Sequence, residues 1–171
     1  MTSTFEHIQT TTVGASVNVV EFSNIDTSLY DSLQIIGNIA YQTSQPYLEV
    51  RFNNDTTAKY GTSMIYRSGS TMNAIYQLSE TDTFAYTGEI IGGNASSNAS
   101  ALYLSIPNSN NTSLYKYWLS RTSSDNYNMQ ASGWWKSTSA ISNIKLSPKF
   151  SDAAQYFTPG SKITLIGIRS A

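Results

Sequence analysis

The sequence predicts an all-β chain: an antiparallel two-sheet sandwich, jelly-roll-like in its connections, with at most one short helical turn. Three observations carry that expectation. Apolar and polar residues alternate over short runs, which is the period of a half-buried strand. Turn-forming clusters such as "FNND", "RSGST", "IGGNASSNAS", "PNSNNTS", "SSDN" and "SPKFSD" break those runs at short, regular intervals. Helical signals are confined to one segment. At 171 residues the chain suits one domain, 1–171, with residues 1–4 expected as an extended or frayed arm.

Taken in order, "LQIIGNIAY" (33–41) reads as a strand apolar on both faces, and Gly37 inside it suggests a bulge or a close backbone approach. "YLEVRF" is the clearest alternation, placing Leu48, Val50 and Phe52 on one face and Tyr47, Glu49 and Arg51 on the other. "NNDTT" follows as a turn, since Asn and Asp tolerate left-handed backbone. "ALYLSIP" turns Leu102, Leu104 and Ile106 inward, with Tyr103 and Ser105 outward. In "LYKYWLS", Tyr115 and Tyr117 share a parity with Leu119, and Leu114 shares the other with Trp118. That pattern fits two-sided burial, or one covered face plus an aromatic contact surface. "SDAAQYF" (151–157) reads as one helical turn capped by Ser151 or Asp152 and stopped by Pro159-Gly160. "SKITLIGI" places Ile163 and Leu165 on one face and Ile166 and Ile168 on the other, so it is expected to be covered on both sides or to touch another subunit.

"GWWKSTSAISNIKL" (133–146) poses the sharpest question. Neighbouring strand residues point to opposite faces, so an inward Trp135 turns Trp134 outward. An outward indole reads as a sugar-stacking platform, a subunit contact, or a second core residue of a two-sided sandwich. Trp134, Tyr115, Tyr117 and Trp118 are together the candidate interface or ligand platform, because Tyr and Trp offer an apolar body and a polar tip.

Composition narrows the function. Charged residues make up 12%, about half the usual share, and Ser, Thr and Asn fill the gap. Such a surface suits burial against copies or partners, and equally a plain exposed β surface. A net charge of −1 without a basic cluster argues against nucleic-acid binding. No run approaches the ~20 apolar residues of a membrane helix. No positively charged segment with a following apolar stretch marks a signal peptide, so synthesis in a cytoplasm is expected.

Catalytic chemistry finds little to build on. There is no Cys, and His7 is the sole histidine, so Ser–His and Cys–His sites lack their parts. Paired carboxylates for sugar hydrolysis would have to come from Glu49, Asp55, Glu80, Asp82 and Glu89. Glu49 fits as an ordinary outward strand residue. Asn53–Asp55 offers oxygen atoms of the kind calcium accepts but lacks the spacing of a calcium loop, so it reads as a turn. No cofactor, metal or catalytic residue is expected.

The ordered set "SNIDTSLYDSLQIIGNIA", "YLEVRFNNDTTAKY", "GWWKSTSAISNIKLSP" and "FTPGSKITLIGI" resembles a family of small bacteriophage virion proteins and tail-fibre-associated domains of aquatic tailed phages. The likeness runs from about Phe5 to Ile168. It implies a β-sandwich virion component, with Trp135 as the family's usual core tryptophan and Trp134 as the departure. The function it implies is a capsid decoration (cement) protein on the outer shell, a homotrimer bound to the major capsid protein. The alternative is a tail-fibre or receptor-binding module that recognises host surface polysaccharide. On this reading Trp134 is an inter-subunit or capsid contact before it is a sugar platform.

Overall fold

The structure, a computed structural model, describes residues 4–41, 47–57, 59–89, 99–123, 127–150 and 153–169. Among them the chain forms thirteen strands: Thr4–Thr12 (β1), Val20–Phe22 (β2), Ser32–Ile39 (β3), Tyr47–Phe52 (β4), Tyr60–Ser68 (β5), Thr71–Asp82 (β6) and Ala85–Glu89 (β7). There follow Ser100–Ile106 (β8), Lys116–Ser123 (β9), Tyr127–Trp135 (β10), Ile144–Phe150 (β11), Ala153–Ala154 (β12) and Lys162–Arg169 (β13). The described helical content is one 3-10 turn, Thr27–Leu29, capped by the Asp26 carboxylate on the Ser28 N–H at 3.1 Å. No helix is long and apolar enough to cross a membrane.

The strands form two antiparallel sheets. The larger runs β1-β13-β3-β8-β9-β10-β5-β6, and the smaller runs β12-β11-β4-β7, with β2 also paired to β11. The segments β1-β13-β3-β8 and β2-β11-β4-β7 have the strand order of an eight-stranded jelly roll. Two inserted hairpins, β5–β6 and β9–β10, extend the larger sheet by four strands.

Leu33, Ile35, Leu104, Ile106, Ile163 and Leu165 from the larger sheet share the core with Phe22, Leu48, Val50, Phe52, Ile144 and Leu146 from the smaller one. Burying each such side chain contributes roughly 1.5–3 kcal/mol before chain entropy is counted. The alternation expected for "YLEVRF", "ALYLSIP" and "SKITLIGI" is observed, and Ile166 and Ile168 are half-buried on the outer face.

One local expectation is corrected. In the segment read as a helical turn, Ser151 and Asp152 lie outside the described residues. Ala153–Ala154 are strand β12, paired with Lys149 and Phe150, and Phe157 bridges to Val17 and Tyr41. A fully buried Phe157 on extended backbone reaches the core and finds ladder partners there, which outweighs the weak helix signal. Of the two roles expected of Gly37, the close backbone approach is observed: β3 holds its register with β13 without a bulge, and a Cβ at Gly37 would lie 3.1 Å from the Lys162 carbonyl oxygen. As for the arm, residues 1–3 lie outside the described set, and Thr4 already pairs with Arg169.

The inserted strands meet the roll through β7, whose Thr87 carbonyl accepts the Ser120 hydroxyl of β9 and whose Tyr86 N–H donates to Thr62 of β5 at 3.2 Å. Close approach at Gly133 makes this packing possible. A Cβ there would lie 2.1 Å from the Gly61 carbonyl oxygen and 2.4 Å from the Trp118 ring. Gly133→Ala is therefore expected to cost about 2–4 kcal/mol, read as a lowered midpoint in urea unfolding with an unchanged slope.

Candidate functional site: the outer face of the larger sheet

Register places the outward residues of β8, β9, β10 and β5 in rows. Tyr117 faces Trp134, which faces Gly61. Leu119 lies between Ser105 and Ser132, and Ser132 faces Ser63. Arg121 lies between Tyr103 and Gln130, and Gln130 faces Ile65.

The polarity of β9 is inverted relative to the usual rule. Its inward residues are Lys116, Trp118, Ser120 and Thr122, all buried, whereas Tyr117 and Leu119 are 58% and 59% exposed. Ile65 at 53%, Ile36, Met72 and Tyr103 are also exposed on this face. A hollow of about 750 Å³ is lined by Ile65, Tyr103, Leu119, Arg121, Gln130 and Ser132, among others. A second, of about 590 Å³, continues past Arg121 and Ile65 to Arg67 and Met72.

The electrostatics of this face are one-sided. None of β5, β8, β9 and β10 contains an acidic residue. Arg121 makes no ion pair among the described residues. Its planar guanidinium carries five donors, a fork suited to a carboxylate.

The four platform residues predicted from sequence separate. Trp135 is core as expected: it stacks on Tyr60 at 6.2 Å, packs against Phe52 at 5.7 Å, and donates its indole N–H to Asp55 Oδ2 at 2.9 Å. Trp118 leaves the platform. It is 1% exposed on the inner face, beside Gly133, because the parity of β9 sends it inward with Lys116. Trp134 does point outward, but its ring lies over Gly61 and it is half-buried. The absence of a side chain at Gly61 draws the indole onto its own sheet. Tyr115 and Tyr117 remain exposed and line a separate hollow of about 500 Å³ with Leu114, Pro107 and Thr138.

Sequence reasoning missed Lys116, which supports that hollow from beneath. Its ammonium is buried and donates to the carbonyls of Asn111, Leu114 (3.0 Å) and Thr138 (3.3 Å). Burial pulls its pKa down, yet three carbonyls take all three hydrogens of the charged form. A lysine inside an alternating run whose other inward members are Trp, Ser and Thr was the available signal.

Glu49 is also corrected. It lies on the outer face of β4 as its parity requires, but it is only 4% exposed. Lys149 (3.3 Å) and Arg51 (3.7 Å) flank it, and both cations sit over the Phe84 ring. Burial pushes its carboxyl above the ordinary range, against the opposing pull of Lys149 and Arg51. Asp55 behaves in the opposite way. Burial would raise it, but donors from Thr57 and Trp135 and the charge of Lys59 hold it below the usual value. With Asn53 accepting from the Ser142 and Asn143 N–H groups at 2.8 and 3.1 Å, Asn53–Asp55 is a turn that staples the β11 approach. Asn53 and Asn54 both have positive φ. Asp82 is half-buried at the end of β6, and the side chains of Glu80 and Glu89 lie outside the described residues.

No protein-family model matches the chain, and no curated protein is detectably similar to it.

Two outcomes are expected. Lys116→Met keeps the apolar stem but strands three carbonyls, lowering stability by about 2–4 kcal/mol in urea unfolding. For Glu49, a raised folded-state pKa means that the native state binds more protons than the unfolded chain. The stability this group adds is present at low pH and declines as pH rises from the ordinary carboxylate value through the raised one. Denaturation midpoints across that window should fall with pH in the wild type relative to Glu49→Gln; parallel profiles would refute the assignment.

Proposed function

We propose that the chain is a structural virion protein of a tailed bacteriophage, a capsid decoration protein that braces the outer shell as a homotrimer. The observation that carries this reading is the outer face of the larger sheet: Ile65, Tyr103, Tyr117 and Leu119 are exposed on β5, β8 and β9, three strands without an acidic residue, and Ile36 of β3 and Met72 of β6 flank them. Contiguous exposed apolar surface of this kind marks contact sites. Its aliphatic members, Ile36, Ile65, Leu119 and Met72, favour a protein partner, since sugar rings are recognised by stacking on flat aromatic faces.

The low overall charge supports the same reading. The receptor-binding alternative relied on the aromatic platform, which loses Trp118 to the core and has Trp134 half-covered over Gly61.

The test is the copy number of this polypeptide against the major capsid protein in purified particles, together with shell binding by Leu119→Glu. A ratio near one, with binding weakened about tenfold or more by a charge at the contact centre, is expected. A ratio far below one would move the protein to the tail, and absence from particles would end the virion reading.

A further inference from the structure

The charge pattern of the outer face determines how copies of this chain meet. Two such faces cannot pair with each other about a twofold axis. On β5, β8, β9 and β10 each presents Arg121 and Arg67 and no carboxylate, so pairing these strands with their own copies would bury cations against cations or leave them unmatched. The surface that completes it must be apolar, must carry an acid, and must lie elsewhere.

One place in the described chain has that chemistry. The turn from Asp26 to Leu29, between β2 and β3, exposes a leucine (43%) beside an exposed carboxylate. Asp26 Oδ1 accepts from the Ser28 N–H and hydroxyl, and Asp26 makes no ion pair among the described residues. The other described carboxylates are already engaged. Glu6 is held by Arg169, Glu21 by Lys145, Glu49 by Lys149 and Arg51, Asp55 by Lys59, and Asp31 by Asn110, while Asp82 also has a partner. None of the residues of this turn lines the hollows on the outer face, so a chain can offer both surfaces at once.

We propose that the hollow around Leu119 and Arg121 receives the Asp26–Leu29 turn of a second copy. Leu29 packs among Leu119, Ile65 and Tyr103, and the Asp26 carboxylate meets the Arg121 fork. The contact is heterologous, head to tail, so it closes into a ring when the rotation allows, as a trimer would. The inference rests on reading the outer face as a contact surface and is independent of the virion assignment.

Sedimentation equilibrium of the purified full-length chain tests it through a charge swap. Arg121→Glu and Asp26→Arg are each expected to weaken self-association at least about tenfold, and the double variant to recover most of that loss. Both substitutions fall on exposed side chains, and thermal melts of all three variants verify the fold. A wild type that stays monomeric at high concentration, single variants without effect, or a double variant no better than the singles would overturn the proposal. The chain lacks cysteine, so Leu29→Cys combined with Leu119→Cys gives a second readout. An intermolecular disulfide on a non-reducing gel supports the contact, and its absence under oxidation refutes it. A chain that assembles this way but is missing from particles removes the virion reading alone; one found on particles as isolated monomers removes this proposal alone.

Discussion

Trp135 joins two bodies that the chain builds separately. It ends β10, in the extension of the larger sheet, yet its ring packs on Phe52 at the end of β4 in the smaller one. Tyr60, from β5, completes the stack and exchanges hydrogen bonds with the Phe52 backbone at 3.1 and 3.3 Å. The indole N–H on Asp55 closes the turn that leaves β4. This cluster fixes the inserted hairpins to the jelly roll, and every row of the outer face takes its position from them. Aromatic contacts of this geometry add roughly 0.5–1.5 kcal/mol each beyond burial, and here their main effect is orientation.

The inverted strand β9 follows from what lies beneath it. The roll presents β7 to the extension edge-on, and Ser120 donates to its Thr87 carbonyl, while Lys116 donates to the loop carbonyls of Asn111, Leu114 and Thr138; a leucine at either position would have left carbonyls unsatisfied. Once the polar parity is used inside, the apolar parity of the same strand has nowhere to go but out. The exposed Leu119 and Tyr117 are thus linked to the satisfied interior, and the apolar outer parity of β9 is a product of how the extension is attached.

Much of the fold was legible because strand parity is a local property. Leu48, Val50 and Phe52, or Leu102, Leu104 and Ile106, declare their face without reference to the rest of the chain. The site was less legible for the same reason. Trp118 and Tyr117 are adjacent, large and aromatic, and the sequence does not say which parity belongs inside when Lys, Ser and Thr share the parity of Trp. Glu49 looked ordinary because its covering comes from Phe84 and Lys149, distant in sequence. Phe157 needed its bridge partners, the buried Tyr41 and the exposed Val17, before its backbone could be seen as extended. Trp134 required knowledge of Gly61, seventy-odd positions away, which the pairing of β5 with β10 alone brings together.

β13 lies between β1 and β3 in the larger sheet although it follows every other strand in the chain. Until β13 arrives, β1 has no neighbour, and β3 is open on one side. The hairpins that make the outer face, β8-β9-β10, are by contrast nearest neighbours in sequence and can zip locally. The order of events during synthesis is therefore inverted: β8, β9 and β10 can pair before the roll seals, which happens only when the last strand slots into the middle. Such non-local closure is slow, and during that interval a nascent chain carries the apolar Tyr117 and Leu119 of β9 on an unsealed body. A cell making many copies of this protein would have to keep neighbouring chains apart until that final strand is home.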